Sequence, residues 1–383
     1  MSRRFAVVNL GLGSLVGIDG AVRGMAKGAR NAELPIDVIA LVPGNADDAP
    51  TEDAGVRCVP YAAWSRAKRL QSLFRYRAIA SARLDRYDVV FLRYPITLDL
   101  DPMAIFRRPI AERIATVHHS SELRELWSGA RTPGMAARVA LEWVGGRRVL
   151  SRVSGIVGVT DEIRALQLAR AGRRGRTKPS AVVSNGIDVE NVPFTRFTPF
   201  DGKTLRLVLV ASSIAPWHGW DRLKAALASY RGAVRVVVDA VGRFDREKGA
   251  SEQEASAEIR YHGLLKHAEL SGILTEANVA VSSLAMFRAG LTQGCVLKTR
   301  EYTARGLPFI YAYDDVDLRA DDPFCLRLPT GEEPVAIEPI IEFAARLSKT
   351  PDVAEQQRQV ARTRMDWSTK MRLFDAFGSR LLG

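Results

Sequence analysis

The chain has few cysteines. Three occur in 383 residues, Cys58, Cys295 and Cys325, isolated from one another and without ligand spacing. That pattern excludes a disulfide framework and a thiolate metal site, and reduced thiols are expected. No apolar run approaches the roughly 20 residues that a membrane-spanning helix needs. The opening MSRRFAVVNLGLG runs straight into a strand-like segment with no signal-peptide cleavage pattern, so a cytoplasmic protein is expected. Internal repeats and low-complexity stretches are also missing, which excludes a solenoid. One absence is local: from Tyr61 to Leu84 there is no acidic residue at all.

What is present is a soluble globular composition, 47% apolar and 26% charged, long enough for two domains with full cores. The net charge of +12 is lopsided: residues 1–195 carry +10 and the remainder +2. Nucleic acid, an anionic bilayer or a phosphorylated acceptor would each suit a basic half. No nucleic-acid recognition motif accompanies the charge, and the basic residues are spread over several segments, so no nucleic-acid partner is expected. Between Tyr61 and Tyr87, Arg66, Lys68, Arg69, Arg75, Arg77, Arg83 and Arg86 alternate with Trp64, Phe74 and Tyr76. Such a stretch serves as an interfacial helix on anionic lipid, or as a solvated helix whose apolar stripe packs on a sheet.

The order of segments is strand, polar loop, helix, repeated. Phe5–Asn9 precedes a loop with Gly11 and Gly13, which either cradles a nucleotide or makes a tight turn. Ile114–Val117 leads into His118-His119-Ser120-Ser121-Glu122, a polar loop at a strand end, where open α/β sheets place ligands. Two neighbouring histidines without further ligands do not make a zinc site. Asn185-Gly186-Ile187-Asp188 and the Pro- and Gly-containing stretch 193–202 read as a hinge and linker. Leu205–Ala211 then restarts the pattern, followed by Trp217-His218-Gly219 and Arg222; His262-Gly263 closes a later strand, and 366–382 reads as an amphipathic helix.

The organising stretch is AVSSLAMFRAGLTQGCVLKTREYTARGLPFI, residues 280–310. A glycine-punctuated loop enters a helix carrying Lys298, Arg300 and Glu301, which Gly306 and Pro308 terminate. Unpaired N–H groups and a partial positive charge at such a helix start suit phosphate. A carboxylate further along suits a ribose diol.

This stretch resembles the sugar-nucleotide signature of retaining GT-B glycosyltransferases of the family 4 type. The signature is two glutamates separated by seven residues, a small helix and Gly-x-Pro. Glu301 matches the second glutamate; Gln293 stands at the first. Lys298 matches the lysine of a subgroup that also has Trp-His-Gly, here Trp217-His218-Gly219, and a His-His turn, here His118-His119. The resemblance implies an α/β fold of GT-B type: two Rossmann-like domains facing a central cleft, with a C-terminal helix crossing back to the first. Residues 1–195 would bind the acceptor, 196–364 the nucleotide sugar, and 365–383 would form the crossover helix. It also implies a retaining, nucleotide-sugar-dependent hexosyltransferase acting on a glycan or lipid-linked acceptor in bacterial polysaccharide or glycolipid synthesis, with an anionic membrane surface as a further partner.

Under that resemblance His118, His119 and Lys298 are the catalytic candidates. Gly11, Gly13, His218, Gly219, Arg222, Gly263, Gln293, Lys298 and Glu301 are the donor-binding ones. Cations and helix-end amides would stabilise the leaving diphosphate, so no cofactor and no metal are expected. The two Asp-x-Asp pairs, Asp99/Asp101 and Asp315/Asp317, are read as surface loops. The substitution at Gln293 leaves one alternative, a catalytically silent GT-B-like protein that binds a sugar nucleotide or a partner.

Overall fold

The structure, a computed structural model, describes residues 3–10, 16–43, 52–61, 84–94, 112–128 and 132–383. The Gly11/Gly13 loop, most of the basic 61–87 stretch and Asp99/Asp101 lie outside the described residues. The chain divides into two compact units, residues 1–188 with 366–383, and residues 189–365.

Among the described residues the first unit has eight strands: β1 (Phe5–Leu10), β2 (Ile36–Pro43), β3 (Glu52–Asp53), β4 (Val56–Tyr61), β5 (Val89–Arg93), β6 (Ile114–His118), β7 (Gly155–Gly158) and β8 (Ser180–Val182). Their spatial order is β3-β4-β2-β1-β5-β6-β7-β8, parallel throughout except β3. The strands read as unbroken apolar runs because both faces of a parallel sheet are covered. Phe5 and Val7 enter one core and Ala6 and Val8 the other, the two-residue alternation of a strand.

The first of these cores is closed by α1 (Val16–Asn31) and by a C-terminal helix, Trp367–Leu382. The two helices meet where α1 has no side chain: a Cβ on Gly28 would lie 2.6 Å from the Trp367 backbone. Phe374 packs on Phe91 with ring centroids 4.9 Å apart. The opposite core is closed by α3 (Pro133–Arg152), through Val149, Leu150 and the following Val153, and by Leu168 of α4 (Asp161–Arg170), while α2 (Glu122–Ser128) packs on α3. The two points where the chain leaves this unit lie side by side. Ile187 and Asp366 form an isolated parallel bridge, and Lys27 on α1 fixes Asp188 at 2.9 Å to each carboxylate oxygen.

The second unit has strands β9 (Thr204–Ala211), β10 (Arg235–Gly242), β11 (Ser251–Gln253), β12 (Ala257–Gly263), β13 (Val279–Val281), β14 (Gln293–Gly294), β15 (Phe309–Tyr311), β16 (Asp314–Asp315) and β17 (Cys325–Arg327). Seven form the sheet β11-β12-β10-β9-β13-β15-β17, and β14 pairs separately with β16. Its helices are α5 (Trp220–Ser229), α6 (His267–Glu276), α7 (Leu297–Arg305), α8 (Glu338–Leu347) and α9 (Val353–Val360), and the Trp367–Leu382 helix of the first unit is α10. Residues 189–192 pack with this second unit: Arg358 donates to the carbonyls of Val189 and Val192. The division therefore falls at Asp188/Val189, ahead of the Pro-rich stretch where composition alone places it.

Both sheets reverse strand order beside their first strand, β1/β5 in one unit and β9/β13 in the other. In open α/β sheets that reversal leaves a crevice beyond the carboxyl ends of the strands.

Candidate functional site

In the second unit, β9 ends at Ala211 and a short 3₁₀ turn, Pro216–His218, leads into α5. The turn is seated on the segment after β13: Leu284 N–H donates to His218 O at 3.0 Å and Ala285 N–H to Trp217 O at 3.1 Å. Gly219 closes it at φ +66°, and a Cβ there would lie 2.8 Å from Leu284 Cβ, so both conformation and space require glycine. The buried His218 ring accepts the Ala215 N–H on Nδ1 at 2.9 Å. That assigns the proton of the neutral ring to Nε2, leaving an N–H donor. Burial, and then the neighbouring Lys298, lower the His218 pKa to about 3, so the ring is neutral.

Lys298 lies in the first turn of α7, whose N-terminus no side chain caps. The lysine stem is partly exposed, but Nζ is sealed from solvent and has no hydrogen-bond partner among the described residues. Burial pushes its pKa down to about 7. An unpartnered buried amine costs stability, and here it sits with an uncapped helix start beside a neutral imidazole. Glu301, one turn on, has a side chain 38% exposed and leans 3.6 Å from the fully buried Arg305 guanidinium. Its carboxylate is open to a ligand. Gln293 lies on β14, paired with Asp314, and Gly263 ends β12 at φ +64°.

Arg222 differs from its expected role. Its guanidinium donates to the carbonyls of Leu284, Glu333 and Pro329 and is 4% exposed. It ties the segments around the site together instead of offering charge to a donor. Asp315 and Asp317 are not a surface loop either. Asp315 is 8% exposed, and both carboxylates engage Arg300, a fully buried residue of α7, with Asp317 at 2.7 Å. This ion pair fixes the helix that carries Lys298 and Glu301. No group of three or more metal-ligating side chains occurs among the described residues.

In the first unit the two adjacent histidines separate. His118 is fully buried, its Nδ1 2.9 Å from Glu122, its Nε2 3.0 Å from Thr116 and its ring stacked on Tyr94. Every polar atom of that ring is satisfied inside the unit, so it positions β6 and is not open to a substrate. His119 falls on the other side of the strand end and lines a small cavity with Asn9, Arg93, Asn185 and Trp367. Its Nδ1–H donates to Asn185 Oδ1 at 3.1 Å, which leaves Nε2 as an acceptor. Burial and the nearby Arg93 hold its pKa well below the usual histidine range.

Arg93 itself was not legible as a site residue. The signal was available: a single cation ending the apolar run VVFL, at the carboxyl end of a parallel strand.

Comparison with known proteins agrees with this architecture. Residues 17–191 match Glycosyltransferase Family 4. A comparison with curated proteins gives no match. Among solved structures, HepE from Anabaena in complex with UDP superposes with a TM-score of 0.61 at 15% identity, over 98% of this chain and 100% of that one. The catalytic domain of starch synthase IV from Arabidopsis thaliana, bound to ADP and acarbose, gives 0.63 at 11% identity, with 100% of each chain covered. A glycosyltransferase from Rickettsia africae gives 0.60 at 12% identity, over 100% of this chain and 99% of that one. With two parallel-dominated α/β sheets and a last helix returned to the first unit, the chain has the GT-B type of fold seen in these structures, and its residues 17–191 are similar to Glycosyltransferase Family 4.

Proposed function

We propose that this protein transfers a sugar from a nucleotide-sugar donor to a glycan or lipid-linked acceptor, with retention of configuration, in bacterial polysaccharide or glycolipid synthesis. The carrying observation is Lys298: a sealed amine without a partner among the described residues, at an uncapped helix start, with Glu301 one turn away. A nucleoside diphosphate answers both needs. Its diphosphate pairs with the ammonium and the helix-end amides, and its ribose hydroxyls donate to the Glu301 carboxylate. UDP and ADP occupy two of the similar structures, HepE and starch synthase IV.

As the glycosidic bond to the diphosphate breaks, negative charge grows on the leaving oxygen. Lys298 and the His218 Nε2–H are fixed donors that stabilise it without reorganising. Glu301 orients the nucleotide and moves no proton. Retention follows from the signature in residues 280–310, with attack on the face that the diphosphate leaves. Because Lys298 and the helix start supply the positive charge, transfer proceeds without a divalent cation, and chelation with EDTA leaves the rate unchanged.

The reading places the protein in the cytoplasm, peripheral to an anionic membrane through its first unit. No helix among the described residues is long and apolar enough to cross a bilayer. The support is exposed aromatic and basic surface: Trp127, Leu141, Trp143 and Val144 are exposed on α2 and α3, with Arg138, Arg147 and Arg148 nearby in sequence. The only acid of α3, Glu142, is buried and bonded to Tyr94 and Arg170. Flotation with anionic and neutral liposomes tests this, and equal binding to both would contradict it.

The direct test of the donor site is thermal stabilisation of the full chain by UDP, GDP, ADP and dTDP. One nucleotide should raise the melting temperature in the wild type and do so far less in Glu301→Ala. No stabilisation by any of them would overturn the reading.

A further inference from the structure

The second unit is not alone in holding a cation without a counter-ion. Arg93 ends β5 at the strand-order reversal of the first unit, and its guanidinium makes no hydrogen bond among the described residues. The carboxylate whose field reaches it is Glu122. That carboxylate is committed elsewhere: Oε1 lies 2.9 Å from His118 Nδ1 and Oε2 accepts Gln167 Nε2 at 2.7 Å. Apolar side chains, among them Val117, Trp367 and Phe374, form much of the cavity wall. A dry wall strengthens any charge pair formed there and makes an unpaired guanidinium unfavourable in the free protein. Beside Arg93, the His119 ring offers Nε2 as an acceptor suited to a hydroxyl.

We propose that this pocket binds an anionic group, a phosphate or a carboxylate, on Arg93, with an adjacent hydroxyl on His119, and that the acceptor of the transfer carries that group. The assignment to the acceptor rests on the sugar-transfer reading; the anion site itself does not. Phosphate and carboxylate share the geometry that a planar guanidinium reads, two oxygens met by two parallel N–H groups.

The chain has five histidines, so each imidazole can be followed by NMR in the full-length protein labelled at histidine. The His119 resonance is assigned by its loss in His119→Gln. Titration with inorganic phosphate, and separately with acetate, should shift that resonance saturably in the wild type and in Lys298→Gln, which removes the second-unit cation. The stronger of the two anions names the group. In Arg93→Gln the shift should need at least about tenfold more anion, and Arg93→Lys should fall between. Without ligand, Arg93→Gln should melt no lower than the wild type, because a partly buried charge without a hydrogen-bond partner has been removed.

A His119 resonance indifferent to both anions would overturn the site, as would equal shifts in Arg93→Gln. A marked fall in melting temperature for Arg93→Gln would assign Arg93 a structural role and also overturn it. Nucleoside diphosphates, titrated into the same samples, report separately on the second unit. Binding of none of them, with His119 still responsive, would leave the anion site standing and remove the transfer reading.

Discussion

The two units solve one architectural problem with two different cations. Each presents a basic group without a hydrogen-bond partner among the described residues and a neutral histidine beyond the strand ends, partly buried Arg93 with His119 in one and Lys298 with His218 in the other. The difference is chemical. Lysine sheds its proton when buried, and burial pushes the Lys298 pKa down to about 7. Arginine does not, so the first pocket stays charged whether or not it is filled. A site that charges on demand suits a group that arrives, reacts and leaves as a diphosphate with one more negative charge than it brought. A site that is always charged suits a group held without change through the reaction.

The strongest way to break this comparison is to remove the titrating cation. Lys298→Ala should lower turnover by about 10²–10³, the effect of deleting one preorganised donor to a developing charge, with a smaller change in nucleotide affinity. Steady-state kinetics with saturating donor would separate the two effects. Unchanged turnover would remove Lys298 from the chemistry.

Next comes the contrast between neighbours. His118→Ala strips partners from buried Glu122 and Thr116 and should cost about 2–4 kcal/mol of stability, read from denaturant melts. His119→Ala should leave the melt nearly unchanged and lower transfer. A reversal of this pair of results would contradict the separation of roles. Glu301→Ala should weaken nucleotide binding by about 1.5–3 kcal/mol in calorimetry, the range for hydrogen bonds to a charged group. Gln293→Ala should do less than either.

The smallest effect is the sharpest test of the difference between the cations. In the free protein at pH 8, Lys298 is mostly neutral; a bound diphosphate restores its proton. Nucleotide binding at that pH should therefore take up a large fraction of one proton, measured by calorimetry in buffers of differing ionisation heat. Affinity should fall as pH rises past 7. Lys298→Gln should abolish the uptake, and anion binding at Arg93 should show none. The same depression, from 10.5 to about 7, means that the unfolded chain binds more protons between those values. Stability without ligand should therefore rise with pH across that window, and Lys298→Gln should flatten the rise.

Much of the fold was legible because parallel strands covered on both faces leave uninterrupted runs such as FAVV and VVFL. The helix that carries Lys298 and Glu301 was legible because a loop, a helix start and a Gly-x-Pro stop are local features. What escaped was non-local. The roles of His118 and His119 depend on which side of β6 each falls, and both sides of that sheet are covered, so alternation alone does not say which one meets the cavity. Arg222 looked like free charge because the carbonyls it holds, at Leu284, Pro329 and Glu333, are remote in sequence. Asp315 and Asp317 looked like a surface loop because their partner, Arg300, reads as one more charge on an amphipathic helix.

The Ile187–Asp366 bridge has a consequence for biosynthesis. A ribosome makes the first unit first, yet that unit lacks the helix that closes one of its cores until residues 366–383 emerge. Phe91 waits for Phe374, and the bare surface at Gly28 waits for Trp367. The second unit, contiguous from 189 to 365, can be complete earlier. The part of the chain translated first is thus the last to finish folding, and truncation of only the final helix would leave a finished second unit beside an open first one.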